Sequence, residues 1–169
     1  MKNNSFRNSL LFFILPLSLI YADETVILIP GDALPSIPYS DQFDKPSPLP
    51  NDLEKIIFIS DMDASKISHP ILLKEGNAYL EKYKTVIISD IHKMPSLISR
   101  FVALPKMREY PYTIRLIREE KIGDPFPRNK GQVTCIDIKS DKIIKIEFAE
   151  NEVALRQFIE ANAVLKNKK

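Results

Sequence analysis

Apolar residues in this chain fall in short unbroken blocks rather than in strict alternation. Ile56-Ile57-Phe58-Ile59 is bounded by Ser60 and Asp61, and Thr85-Val86-Ile87-Ile88 is closed by Ser89 and Asp90. Blocks of this length and β-branched content read as strands covered on both faces, the habit of parallel sheets. Residues 65–73 and 77–83 between them suit helix, and that strand, helix, strand spacing implies a parallel, right-handed crossover. Residues 95–102 predict a further helix, with Pro95 in its first turn and Leu97, Ile98, Phe101 and Val102 on one apolar face. Residues 104–110 lead into Pro111. Strands are expected at 25–29, 112–117, 132–138 and 142–148, the last two joined by Lys139-Ser140-Asp141, a length suited to a hairpin. Asn151 caps a final helix with Ala154, Leu155, Phe158, Ile159 and Asn162 at helical spacing. The core pattern is thus β-α-β-α-β-β-β-α, uninterrupted by repeats or low-complexity tracts.

Two stretches depart from this pattern. Residues 10–20 (LLFFILPLSLI) follow Lys2 and Arg7 and end in Ile20-Tyr21-Ala22, which reads as a secretory signal peptide over residues 1–22, cut after Ala22. The apolar stretch is too short for a membrane span, which needs roughly 20 residues. No cysteine stands near the cut to carry a lipid. Export, to the periplasm, is therefore expected, with no membrane span once the signal is removed. Residues 23–54 form a proline-rich extension with a hairpin: Pro30, Pro35, Pro38, Pro46, Pro48 and Pro50 fix φ and donate no backbone hydrogen bond, so loop or edge strand is expected there rather than helix. Residues 55–165 hold the core.

Composition narrows the chemistry. The formal charge of +2 comes from 24 Lys and Arg against 22 Asp and Glu, and the excess is accounted for by Lys2 and Arg7. No clustered basic face points to nucleic acid. A single cysteine, Cys135, excludes an internal disulfide, a C-x-x-C pair and any zinc site with two or more thiolates. It lies within Val133-Thr134-Cys135-Ile136, mid-strand, where a buried structural cysteine is expected.

Several motifs together carry a resemblance. Gly31-Asp32-Ala33-Leu34-Pro35 and Asp41-Gln42-Phe43-Asp44-Lys45-Pro46 resemble the opening of the thioredoxin-like superfamily, of peroxiredoxin and periplasmic type. The strand at 56–59 followed by a helix bearing Pro70 is similar to that family's active-site unit, and Tyr110-Pro111-Tyr112-Thr113 sits where the family has a cis-proline before a strand. The segments Ser60-Asp61-Met62-Asp63-Ala64-Ser65, Pro95-Ser96-Leu97-Ile98-Ser99-Arg100 and Ala103-Leu104-Pro105-Lys106-Met107-Arg108 resemble a group of small exported bacterial proteins of this type that lack redox cysteines. The resemblance implies an α/β, three-layer domain with a central mixed sheet flanked by helices. Aligned on Pro70, residues 62–65 take the place of the C-x-x-C pair, and neither Met62 nor Ser65 supplies the thiols that exchange requires. The implied role is binding of a protein or peptide partner near Asp61, Met62, Asp63 and Ser65 and near Arg108, Tyr110 and Pro111, without catalytic residue, cofactor or resident metal. Pro111 is either a cis-proline at a peptide-docking edge or simply the start of an edge strand.

Enzymatic alternatives start from the same residues. Asp61-x-Asp63-x-Ser65 after an apolar strand is similar to the Asp-x-Asp-x-Thr of haloacid dehalogenase-type phosphatases, a Mg²⁺-dependent chemistry with one carboxylate as nucleophile. No later Lys and acidic-pair motif accompanies it. Asp61, Asp63, Asp90 and His92, with His69, would gather at the carboxyl edge of the sheet if they bound a divalent ion. A flavin-linked oxidoreductase, as similar proteins are sometimes named, lacks support from a Gly-x-Gly-x-x-Gly turn. The plainer reading of Asp61 and Asp63 is that they cap the following helix.

Overall fold

A computed structural model describes residues 26–161. The signal-peptide reading of residues 1–22 and the position of Asn162 lie outside the described residues. Strand β1 (Lys55–Ile59) leads into helix α1 (Met62–Lys82), which returns the chain to β2 (Thr85–Asp90), parallel to β1 with Ile57 opposite Ile87. A short helical run follows: α2 (Ser96–Ile98), a π-helical stretch (Ser99–Ala103) and α3 (Leu104–Met107). Strand β3 (Ile114–Ile117) then pairs with β2 in parallel. β4 (Val133–Lys139) and β5 (Lys142–Ala149) complete the sheet in antiparallel sense, and α4 (Glu152–Glu160) closes the described chain. The sheet order is β3-β2-β1-β4-β5, mixed as expected.

Local chemistry explains most boundaries. The β4–β5 turn places Ser140 and Asp141 at φ 52° and 61°, the left-handed pair of a tight hairpin. Asn151 is the N-cap of α4, its side chain accepting Ala154 N–H at 3.0 Å. Helix α1 breaks at Gly76, whose φ of 69° and ψ of −165° suit only glycine, and a Cβ there would come within 3.2 Å of Pro111 O. The break frees Asn77 to bond the chain ahead of β3: its N–H donates to Pro111 O at 3.1 Å, and its Oδ1 accepts Thr113 N–H at 2.9 Å.

The expected strand at 25–29 does not form among its described residues. Leu28 alone is buried, its N–H bonded to Pro125 O, while Val26, Ile27 and Ile29 remain exposed. Backbone pairing with the sheet starts later, where Gly31 N–H donates to Ile143 O at 2.8 Å and Ala33 bridges Lys142 at the start of β5. The Asp41-to-Pro46 hairpin does form, with Ser40 bridging Pro46.

Ile57, Ile59, Ile87, Leu116 and Val133 share one face of the sheet with α1 and α4 residues such as Ile71, Leu72, Leu155, Phe158 and Ile159. Lys55 sits at the foot of this layer, 1% exposed, and donates from Nζ to Phe158 O at 2.8 Å and Ile159 O at 2.6 Å. Both carbonyls belong to the last helical turn, where Phe158 O otherwise takes only a long bond of 3.4 Å from the Ala161 N–H, so the lysine ties α4 to β1. On the other face Ile56, Phe58, Val86, Ile88, Ile117 and Ile136 pack against Leu28, Tyr39, Phe126 and the half-buried Leu34, Leu49 and Leu53. That third layer is irregular chain.

Candidate functional site

Asp61 follows the carboxyl end of β1 in extended backbone (φ −152°) and is the N-cap of α1. Its Oδ1 accepts Asp63 N–H and Ala64 N–H, each at 2.9 Å, and its Oδ2 accepts Gly131 N–H at 2.9 Å. One carboxylate thereby fixes the first turn of α1 and clamps it to the loop that enters β4. Burial pushes the Asp61 carboxyl up, but the N–H groups of Ala64, Gly131 and Asp63 outweigh it, so the net shift is downward. Met62 is 67% exposed at the tip of the turn. Asp63 points outward to Lys66 at 2.7 Å. Ser65 N–H donates to Asp61 O at 3.1 Å, and Ser65 O accepts the Ser68 hydroxyl. Capping thus accounts for both bonds of Asp61 Oδ1, while Oδ2 is taken up by Gly131.

Asp90, the last residue of β2, and His92 just past it form a separate cluster. Asp90 Oδ1 accepts His92 N–H at 3.1 Å and His92 Nδ1 at 2.6 Å, and Oδ2 accepts Arg128 Nη2 at 2.6 Å. Arg128 also donates to Gly123 O and lies 5.2 Å over the Phe58 ring. A Cβ on Gly123 would overlap Asp90 Oδ2, so glycine lets the loop close over the pair. His69 lies elsewhere, its Nδ1 2.8 Å from Tyr112 Oη and its Nε2 3.0 Å from Tyr110 Oη. Burial, then the charge of Lys106, holds its pKa below the usual imidazole range. The four residues of the metal alternative are thus split between the head of α1, where Asp61 caps and Asp63 pairs with Lys66, and an ion-paired cluster, and among the described residues no group of three or more His, Cys, Asp or Glu is placed to hold a metal.

The two halves of the expected binding groove lie apart. Pro111 precedes β3, and the register of Ile87 with Ile114 puts it near the amino ends of the parallel strands, whereas Asp61 and Met62 stand at the carboxyl end. Along α1, Pro111 meets Asn77, about 20 Å from Met62 at 1.5 Å per residue. Among the described residues no peptide bond is cis, so the cis-proline alternative for Pro111 is corrected, and β3 begins only at Ile114. Arg108 holds the proline-rich cover, through Gln42 O at 2.8 Å and Asp44 at 3.0 Å, while Tyr110 stacks on Tyr112 with centroids 5.2 Å apart. What meets the Met62 turn is the 129–132 loop, which contains no proline: Gly131, at φ 75°, lies 3.7 Å from the Asp63 Cβ when a Cβ is built on it. Sequence reasoning missed Gly131 and Arg128. A glycine two residues ahead of an apolar strand was the available signal for the first, and Arg128 had none.

A cavity of about 460 Å³ opens at the opposite end, lined in part by Ser47, Asn77, Glu81, Lys84, Thr113 and Arg115. Lys84 is paired with Asp52 and Glu54 there, and Arg115 donates to Ser47 O and Pro48 O.

No family model matches the sequence, and no curated protein matches it. Solved structures do. A thiol-disulfide isomerase from Thermus thermophilus is 18% identical, with 82% of this chain and 96% of that chain covered and a TM-score of 0.51. A thiol peroxidase from Chromobacterium violaceum is 16% identical, covering 84% and 88%, with a TM-score of 0.50. A thioredoxin-like protein from Porphyromonas gingivalis is 12% identical, covering 76% and 90%, with a TM-score of 0.51. The fold is thioredoxin-like. In this thioredoxin-like frame the sole cysteine, Cys135, lies in the middle of β4, fully buried. Burial, with the Glu147 charge second, pushes its thiol up to about 12.

Proposed function

We propose that this chain is an exported thioredoxin-like protein that has no thiol redox activity and binds a protein or peptide partner at the corner formed by the Met62 turn and the 129–132 loop. The observation that carries the reading is Met62, a large apolar side chain left 67% exposed at the head of α1 by a turn that Asp61 holds rigid. Methionine adapts its shape to varied apolar contacts, which suits a docking surface. Support for the lack of redox chemistry is the buried Cys135, held as a thiol rather than the thiolate that attacks disulfides. Support for export is the residue 10–20 pattern after Lys2 and Arg7.

A photo-reactive residue placed at Met62 in the full chain, expressed in cells, tests the binding. A discrete adduct is expected at Met62 and none at Glu81, on the far end; no adduct, or equal adducts at both, refutes it. Mass measurement of the secreted chain is expected to begin at Asp23. Turnover in an insulin-reduction assay would overturn the redox part. A Mg²⁺-dependent phosphate-ester hydrolysis abolished by Asp61→Asn would replace the binding role with an enzymatic one.

A further inference from the structure

The run from Ser96 to Met107 is apolar on both sides. Its inner side packs Leu104 and Met107, with Met94 just ahead, onto the helical core. Its outer side leaves Leu97 69%, Ile98 49%, Phe101 65% and Val102 58% exposed, a concentration of bulky apolar surface within six residues. An ordinary surface helix carries polar residues on that side, and scattered exposed apolar residues differ from a contiguous patch, which marks an interaction site. Charge says which kind. Residues 91–108 contain no Asp or Glu, and include Lys93, Arg100, Lys106 and Arg108. Arg108 is paired with Asp44, whereas Lys93, Arg100 and Lys106 are exposed and have no carboxylate within ion-pair distance among the described residues. The Arg100 guanidinium lies 5.6 Å over the Phe101 ring, so cation and apolar tip are presented together.

We infer that this segment docks on an anionic lipid surface, lying in the interface plane with Leu97, Ile98, Phe101 and Val102 in the acyl boundary and Lys93, Arg100 and Lys106 among the phosphates. Exposed apolar side chains ringed by unpaired cations are the pattern of interfacial helices. Protein interfaces, by contrast, deplete lysine. A helix face is convex, and a fluid headgroup layer encloses four projecting side chains without a preformed groove. No helix among the described residues is long and apolar enough to cross a membrane, so the contact is peripheral.

The chain has no tryptophan, so Phe101→Trp supplies a single reporter. Its emission is expected to shift to the blue with phosphatidylcholine vesicles containing about one-third phosphatidylglycerol and to stay unchanged with phosphatidylcholine alone. In vesicle sedimentation the otherwise unaltered mature chain is expected to bind the anionic vesicles on the order of tenfold more than the neutral ones, with the excess lost at high salt. Leu97→Ser with Phe101→Ser should abolish binding while leaving the thermal midpoint in place, since both side chains are exposed. Arg100→Glu with Lys106→Glu should remove the preference for anionic lipid. Equal binding to both vesicles, or undiminished binding of the serine variant, overturns the inference. So does a concentration-dependent dimer in gel filtration that the serine variant dissolves without vesicles, because a second copy then covers the face.

Discussion

On one face of the sheet Ile57 and Ile87 meet helices α1 and α4; on the other Ile56, Phe58 and Ile88 meet a coil drawn from residues 28–53 and 122–126. All five are fully buried, so the coil excludes water as completely as the helices do. The difference lies in how each cover satisfies its own backbone. A helix pairs its N–H and C=O groups internally, but a coil laid over a sheet brings polar groups that need partners from outside. Here the six prolines of residues 30–50 remove donors at the outset, and side chains serve the acceptors. Arg115 donates to Ser47 O and Pro48 O, Arg108 to Gln42 O, and Thr134 to Pro127 O. Gln42, 2% exposed, serves the sheet itself, donating to Tyr112 O at 2.8 Å and accepting Ile114 N–H at 3.0 Å. Irregular chain can thus act as a structural layer when prolines and side-chain clamps replace helical hydrogen bonds.

If the two layers are equivalent, truncating their cores should cost alike. Phe126, stacked on Phe58 at 4.6 Å, is the centre of the coil layer; Phe126→Ala is expected to lose about 3–5 kcal/mol in urea unfolding, beside about 2–5 for Leu155→Ala under the helices. A loss under about 1 kcal/mol at Phe126 would show the coil to be a loose cover and break the comparison. Gln42→Ala leaves two buried backbone groups unpaired and should cost about 1–3 kcal/mol for each, with hydrogen exchange at the Ile114 amide faster than in the parent. Asp61→Ala, at the head of the helical layer, should cost about 0.5–2 kcal/mol, whereas Asp61→Asn keeps much of the cap. The folded Asp61 pKa lies below its unfolded value, so its contribution is complete above roughly 3.9 and fades as pH falls through the folded value. Asp61→Asn should flatten that acid limb.

The smallest effect belongs to His69, where α1 meets Tyr110 and Tyr112. Its folded pKa is depressed, so the stability from holding it neutral is present above about 6.5 and lost as pH falls through the folded value. The thermal midpoint should drop slightly between neutral and mildly acidic buffer, and the His69→Gln variant should lose that part of the drop. An unchanged slope would place the acid sensitivity in another group.

The five sheet strands, the β4–β5 hairpin, the Asp61 and Asn151 caps and the break near Gly76 were legible because each is set by neighbours in sequence: β-branched blocks, a short polar link that the structure tightens from three residues to two, a capping side chain, a glycine. The apolar face at 97–102 was legible as a face but not as an exposed one, since periodicity reports which residues share a side and not what covers it. Strand 25–29 was over-read for the same reason: an apolar run with no ladder partner stays coil. Pro111 was placed by analogy at the Met62 turn, but long-range register decides such contacts, and Gly131 reaches Asp61 across 70 positions of chain. Arg128, which reaches the Asp90 carboxylate 38 positions away, and Gln42, which bonds the backbone of Tyr112 and Ile114, act through contacts that leave no local pattern to find.

Gln42 has one more consequence. With Ser40 O taking Leu116 N–H at 2.8 Å beside it, a side-chain amide stands where another strand would add, and the β3 edge offers no template. β5, beyond its contact with residues 31–34, has no further strand beside it among the described residues. A sheet that is blocked along one margin and open along the other can be extended once, by a second sheet meeting it edge to edge, and then has no margin left, so strand addition between copies ends at a closed pair and cannot propagate into a fibre.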